Sequence, residues 1–272
     1  MKRLFTVALA MMLVLTMAGS ALAANRLEEV LAAGKIVMAT SPDFAPSEFI
    51  DPNKTGQESI VGADVSLGKY IAENLGVELV IDSMEFSAVL GAVTTGKVDI
   101  AISGLTYLPE RAEAMEMSTP YNLNKADDGQ GLLVAVGTGD AFATPEDFVG
   151  KKVAVQNGSL QHKLLTEQLP GAQAEMITNL NDAVMMLITG KVDAVGVAGG
   201  NGKAYMNNYD EIEMAAFYYD FSAEGTSVAA PKGETELIEA INEIIAKAEA
   251  EEGMMQGWYD DAVALAESLG IE

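Results

Sequence analysis

The pentapeptide Thr95-Gly96-Lys97-Val98-Asp99 (TGKVD) recurs, residue for residue, at Thr189-Gly190-Lys191-Val192-Asp193. Each copy ends an apolar run with helical spacing, Ser87 to Thr95 or Asn181 to Thr189, and leads into a short apolar run that reads as a buried strand. A helix stop explains the glycine, which turns the chain into the left-handed region at little cost. It does not explain five identical residues. The duplication predicts two lobes built on one plan.

Working outward, the residues from Gly34 to Thr40 (GKIVMAT) read as a strand, and Gly150 to Gln156 (GKKVAVQ) repeats the pattern. After the first of these, Asp64 is expected to cap a helix whose apolar face is Leu67, Ile71 and Leu75 and whose stop is Gly76. A strand from Val77 to Ile81 follows. After the second, Ser159 opens a helix that Pro170-Gly171 closes. Strands alternating with helices imply a parallel sheet in each lobe. Two segments rich in Gly, Asp or Ser, Tyr121 to Gly131 and Tyr219 to Gly225, cross between the lobes, each entering a strand-like run. Two helices, Glu234 to Ala250 and Gln256 to Leu269, end the chain. The expected division is a first lobe of residues 24–130 with 222–272 and a second of 131–221, joined by two hinge strands.

Composition narrows the function. Lys2 and Arg3, an apolar core from Leu4 to Met17 and the small residues Ala21-Leu22-Ala23 read as a secretory signal peptide over residues 1–23. No later run is long enough to span a membrane, so no direct membrane insertion is expected. There is no cysteine, which excludes disulfides, thiol chemistry and a lipidated cysteine, and the single histidine, His162, makes a histidine-rich metal site or a serine triad a poor reading. A net charge of −24, or −26 without Lys2 and Arg3, disfavours nucleic acid and anionic lipid. No cofactor or metal is expected: Gly199 to Lys203 lacks the first Gly and the Ser or Thr of a phosphate loop, and the acidic pairs lack a calcium-loop pattern.

One stretch carries chemistry. Ile102 to Arg111 (ISGLTYLPER) follows a strand expected over Val98 to Ile102, places Ser103, Gly104 and Thr106 at its end, and starts a short helix at Pro109 with Arg111 just inside it. A strand end, hydroxyls and a guanidinium make a carboxylate site, because Arg offers a rigid two-donor fork and a helix start adds partial positive charge. In open α/β sheets, ligands sit beyond the carboxyl ends of the strands.

In the order and spacing of GKIVMATSPDFAPSEF, VGADVSLGKYIAENLGV, GKVDIAISGLTYLPERAEAMEMSTPY, GKKVAVQNGS, GKVDAV and SVAAPKG, the chain resembles the amino-acid-type (family 3) periplasmic solute-binding proteins of ABC importers. The resemblance implies a two-lobed type II binding-protein fold, each lobe a mostly parallel sheet flanked by helices. It implies a periplasmic or secreted monomer that binds an amino acid or related carboxylate and delivers it to an inner-membrane permease. Carried over by position, it implies that Arg111 and the Thr106 N–H hold the ligand carboxylate, with Gly104 beside them. The Ser103 carbonyl would accept from the ammonium group, and Phe44 and Phe86 would enclose the side chain. The loop from Gln156 through Ser159 to Leu160 would complete the carboxylate site as the cleft shuts.

Ala198 departs from the pattern, since many relatives carry an Asp there that pairs with the ligand ammonium. Losing that partner costs on the order of 2–5 kcal/mol unless Asp43 or Asn201 replaces it, or the ligand lacks the group. Ser41, at a position acidic in several binders of cationic amino acids, points away from Arg or Lys. The rival from another class is an enzyme on the same fold resembling cyclohexadienyl dehydratase, which needs a general acid or base, with Asp43, Glu48 and Glu85 on offer. A sensory module is a third reading.

Overall fold

A computed structural model describes residues 25–123, 129–222 and 225–271. The signal peptide expected at 1–23 lies outside the described residues, as do 124–128 of the first crossing and 223–224 of the second.

The chain runs α1 (Arg26–Ala33), β1 (Lys35–Thr40), the small hairpin β2 (Phe49–Ile50) and β3 (Ile60–Val61), α2 (Ala63–Leu75) and β4 (Glu78–Ser83). Next come α3 (Phe86–Thr94), β5 (Ile100–Ala101), α4 (Pro109–Ala114), β6 (Met115–Met117) and, past the first crossing, β7 (Gln130–Ala135). The second half supplies β8 (Lys152–Gln156), α5 (Leu160–Gln168), β9 (Gln173–Ile177), α6 (Leu180–Ile188), β10 (Ala194–Ala198), α7 (Gly199–Asn208) and β11 (Ile212–Tyr218). The described chain closes with β12 (Ala229–Pro231), α8 (Thr235–Ala250) and α9 (Met254–Leu269).

These strands form two five-stranded sheets, ordered β4-β1-β5-β12-β6 and β11-β7-β10-β8-β9. In the first, β1 pairs in parallel with β4 and β5; in the second, β8 pairs in parallel with β9 and β10. The other half of each sheet is antiparallel, through β12 against β5 and β6 and through β7 against β10 and β11. The antiparallel half of each sheet has a physical reason. Strands β7 and β12 arrive from the crossings rather than from a preceding helix, so nothing forces them parallel.

TGKVD does one job twice. Gly96 and Gly190 adopt φ of 69° and 68° to end α3 and α6. The Lys97 N–H then bonds to the Ala92 carbonyl and the Lys191 N–H to that of Met186. Asp99 Oδ2 accepts from Val37 N at 2.7 Å, while Asp193 Oδ2 accepts from Lys152 N at 2.8 Å. Each Asp thereby pins the helix exit to the neighbouring parallel strand of its own sheet, β1 or β8.

Helix α2 buries Leu67 and Ile71 against Ile36 and Met38 of β1, worth roughly 1.5–3 kcal/mol per large side chain. The same core takes Leu237, Ile241 and Ile245 from α8, so the chain's last third packs on its first. Asp64 does not cap α2. Gly62 holds that position, and Asp64 sits buried in the first turn, where Oδ2 accepts from Gly104 N at 2.7 Å and Oδ1 from the Tyr121 hydroxyl at 2.8 Å. Among the described residues, no helix is long and apolar enough to cross a membrane.

Candidate functional site

The carboxyl ends of β1 and β5 meet those of β8 and β10 across a crevice. Its walls are Ser41, Asp43, Phe44, Glu48, Phe86, Ser103, Gly104, Thr106 and Arg111 on one side and Gln156, Ser159, Leu160, Gln161 and Ala198 on the other, with Gln130 and Thr226 at the crossings. All ten positions singled out in the sequence therefore line one cavity of about 130 Å³. That is smaller than the roughly 300–1,000 Å³ of drug-sized sites. It suits a small polar molecule.

Arg111 is the dominant charge. Only 7% exposed, it donates through Nη1 to the Thr106 carbonyl at 2.9 Å and through Nη2 to the Gly158 carbonyl, across the crevice, at 3.0 Å. Its guanidinium lies 5.6 Å from the centroid of the Phe86 ring. Burial pushes its pKa down to about 10, with Glu110 opposing the shift, so the group remains a cation at neutral pH. Among the described residues no carboxylate lies within ion-pair distance of it. A buried cation held only by two carbonyls is costly until an anion arrives. The positive charge comes from this side chain rather than from α4, a six-residue helix whose Arg111 and Ala112 N–H groups both bond to the Leu108 carbonyl.

Phe86 serves two packings, lining the cavity while resting on Val89, Ala101 and Leu105 in the core of the first sheet. Phe44 belongs to the loop after β1, where its N–H bonds to the Glu48 carbonyl at 2.9 Å. Gly104 is left-handed at φ 54°, and a Cβ there would come within 3.1 Å of the Phe44 ring, so glycine lets that ring approach the strand end.

In the second lobe's loop from Gln156 to Leu160, several backbone N–H groups already have partners. Asn157 N bonds to the Ile177 carbonyl, Ser159 N to the Gln156 carbonyl, and Gly158 N to His162 Nδ1 at 3.3 Å. Those three N–H groups are engaged within the lobe, which leaves the Leu160 and Gln161 N–H groups at the start of α5, both on cavity-lining residues, without an intrahelical acceptor. Ser159 caps that helix through its side chain, which accepts from His162 N. His162 is half-buried, holding the turn rather than lying free on the surface.

The Gln156 side chain reaches across the crevice: its Nε2 donates to Asp43 Oδ2 at 2.9 Å and to the Thr178 carbonyl at 3.3 Å. Asp43 also accepts from Leu180 N at 2.9 Å, and its Oδ1 from the Ser41 hydroxyl at 2.9 Å. It therefore ties the first lobe to the start of α6. Burial, the largest influence, raises its pKa, and these hydrogen bonds oppose the rise. Asn201 is likewise engaged between lobes, donating from Nδ2 to the Ala45 carbonyl at 2.6 Å. Lys163 of α5 reaches Glu110 at 3.0 Å at the crevice rim. Glu85 lies outside the cavity, accepting from the Ser87 hydroxyl.

Behind the strand end sits a carboxyl pair that the sequence does not reveal as such. Glu48, 1% exposed, accepts at Oε1 from the Ser103 hydroxyl at 2.9 Å, and that hydroxyl accepts from Ser41 N at 3.0 Å. Burial and the neighbouring Asp64 hold the Glu48 carboxyl well above its ordinary value of 4.5. Asp64 is raised too, by burial, while the Gly104 N–H and the Tyr121 hydroxyl favour its charged form. Glu48 is thus the member that keeps the proton.

The sign for stability follows. A proton that the unfolded chain releases near pH 4.5 stays bound in the folded one, so this contribution is full below that pH and is lost as pH rises through the folded value. The urea midpoint of Glu48→Gln should accordingly fall less than that of the wild type between pH 4.5 and 8; parallel curves would contradict the assignment.

Comparison with known proteins agrees with this architecture. The family model of bacterial extracellular solute-binding proteins, family 3, matches residues 36–260. The chain belongs to that family. The arginine-binding extracellular protein ArtP of Bacillus subtilis is 28% identical over 223 residues, covering 79% of this chain and 81% of its own. The L-cystine-binding protein TcyJ of Escherichia coli is 23% identical over 236 residues, covering 86% and 85%. Among solved structures, an amino acid ABC transporter substrate-binding protein of Streptococcus pneumoniae, bound to L-arginine, superposes with a TM-score of 0.80 at 32% identity, covering 88% of this chain and 98% of that one. The ligands these relatives are named for or bound to differ in side chain, arginine in two of them and cystine in the third. Among the described residues of this family 3 chain, no group of three or more His, Cys, Asp or Glu is placed to hold a metal.

Proposed function

We propose that this protein is an extracytoplasmic receptor that catches one small carboxylate, an α-amino acid, between its lobes and presents the closed form to an inner-membrane ABC permease. On this reading residues 1–23 direct export to the periplasm or beyond, residues 24–130 with 222–272 form one lobe, residues 131–221 form the other, and the receptor works as a monomer without catalytic activity. The observation that carries it is Arg111, a buried guanidinium facing a small cavity with no carboxylate partner among the described residues. An arginine-bound relative at a TM-score of 0.80 makes arginine the first ligand to try, against the lean of Ser41 toward neutral side chains.

A thermal-shift screen of the twenty common amino acids tests this, because a ligand at 100 times its Kd stabilises the folded state by about 2.7 kcal/mol. One or a few amino acids should raise the melting temperature by several degrees. No shift from any of them, or turnover of prephenate or arogenate by the purified protein, would overturn the reading.

Closure supplies a second check. Asp43 joins the lobes through Gln156 and Leu180, and hydrogen bonds to a charged group are worth roughly 1.5–3 kcal/mol. Asp43→Ala should therefore weaken ligand binding about 10- to 150-fold by calorimetry while leaving Arg111 in place. Unchanged affinity would mean that these bonds play no part in closing the cleft.

A further inference from the structure

Asp64 lies behind the crevice rather than in it. It is 1% exposed in the first turn of α2, and no residue of that helix lines the cavity. Both of its oxygens are occupied, Oδ2 by Gly104 N at 2.7 Å and Oδ1 by the Tyr121 hydroxyl at 2.8 Å. The Glu48 carboxyl, which keeps its proton, is a third donor to it. Three donors around one buried carboxyl select its anionic form.

The bond to Gly104 fixes more than a nitrogen. A trans peptide sets its N–H and C=O on opposite sides. With the Gly104 N–H turned back to α2, the Ser103 carbonyl is turned away from that helix, to the side of the crevice that Ser103 and Gly104 line. Gly104, left-handed at φ 54°, permits this orientation. Among the described residues no donor reaches that carbonyl. Elsewhere on the cavity wall each Asp43 oxygen already accepts from the protein, and Ala198 contributes no charge.

We propose that Asp64 is a positioning residue for the ligand's ammonium group: it holds the Ser103–Gly104 peptide so that the Ser103 carbonyl faces the ammonium, and it backs that peptide with the negative charge that Ala198 leaves out. The inference rests on the amino-acid reading above. The peptide is the intermediary. Its N–H points at the buried anion and its carbonyl at the ligand, and hydrogen bonds arranged in such a chain polarise one another where water is excluded. The anion strengthens the carbonyl as an acceptor without touching the ligand.

The experiment is calorimetry on wild type, Asp64→Asn and Asp64→Ala, with the twenty common amino acids, arginine first, and the 2-hydroxy acid of each one that binds. Asn keeps an acceptor for Gly104 N–H and offers an N–H to the Tyr121 oxygen, so Asp64→Asn removes the charge alone; Asp64→Ala removes the acceptor too. Asp64→Asn should bind the amino acid roughly 5- to 15-fold more weakly, and Asp64→Ala more weakly still. The 2-hydroxy acid offers the carbonyl a neutral O–H, so wild type and Asp64→Asn should bind it nearly alike. A hydroxy acid that loses as much as the amino acid makes Asp64 a structural support and overturns the proposal. An amino acid bound equally by wild type and Asp64→Asn overturns it as well; both results leave the receptor reading standing. A wild type that binds none of the twenty overturns that reading and the proposal with it.

Unfolding curves check that the variants fold, and Asp64→Asn carries the test if the alanine variant does not. A second measurement needs no ligand. In nuclear magnetic resonance spectra of wild type, the Gly104 amide proton should lie downfield and exchange slowly, although the residue belongs to no helix or strand. A rapidly exchanging Gly104 amide overturns the proposal by itself.

Discussion

Replacing Arg111 by alanine should weaken ligand binding by on the order of 2–5 kcal/mol, or about 30-fold to several thousandfold in Kd. The size follows from burial. At 7% exposure the guanidinium sits where water screens little, and its two hydrogen-bond partners are neutral carbonyls, so the ligand's carboxylate is the counter-ion that completes it. Isothermal calorimetry reads the loss. The ligand-free variant should unfold at a temperature close to that of the wild type, because removing a costly buried cation offsets the loss of two hydrogen bonds. Arg111→Lys should recover little, since a point charge cannot serve two carbonyls and a carboxylate in one plane. A variant that binds normally would remove Arg111 from the site altogether.

The second large effect falls on stability. Gly62 has φ 132°, and a Cβ built there would lie 2.2 Å from the Ser47 carbonyl oxygen, which is backbone and cannot rotate aside. That carbonyl accepts from Asp64 N at 2.9 Å, as the Pro46 carbonyl accepts from Ala63 N at 3.0 Å, so the Pro46–Ser47 backbone is what satisfies the start of α2. Gly62→Ala should cost on the order of 3–5 kcal/mol, as a backbone clash added to strained φ, read as a lower urea midpoint. Because α2 carries Asp64, which holds Gly104 and Tyr121, the damage should spread to ligand affinity as well. Gly76→Ala is the control. Its φ is 71°, but nothing lies within 4 Å of a Cβ there, so only the left-handed penalty of about 1–2 kcal/mol remains. Equal losses at the two glycines would show that the Ser47 contact does not matter.

Most of the framework could be read from residues whose meaning is local. TGKVD marks a helix exit and a strand entry wherever it occurs, and the spacing of Leu67, Ile71 and Leu75 defines a helix face without reference to the rest of the chain. The strand end from Ser103 to Arg111 was legible for a similar reason: small residues and an Arg beside an apolar run leave few alternatives.

What escaped depends on distant partners. Helix α7 opens with Gly199-Gly200-Asn201-Gly202, a poor helical sequence, yet a Cβ on Gly202 would sit 2.5 Å from Met214 Sδ, so glycine fits the close approach of β11. Asp64 looks like a cap by type and position, but its partners come from residues 40 and 57 positions away. Gln156 lines the crevice, but its bond to Asp43 on the other side joins residues 113 positions apart and left no mark in the sequence. Glu48 was visible only as a stray acid, because its burial beside Asp64 is a property of the folded chain.

The most direct test is a crystal structure of the protein with its bound amino acid. The ligand carboxylate should lie within about 3 Å of the Arg111 guanidinium, charge-assisted and enclosed by both lobes. A ligand seated elsewhere, or an Arg111 that keeps only its carbonyl partners while ligand occupies the crevice, would contradict the account.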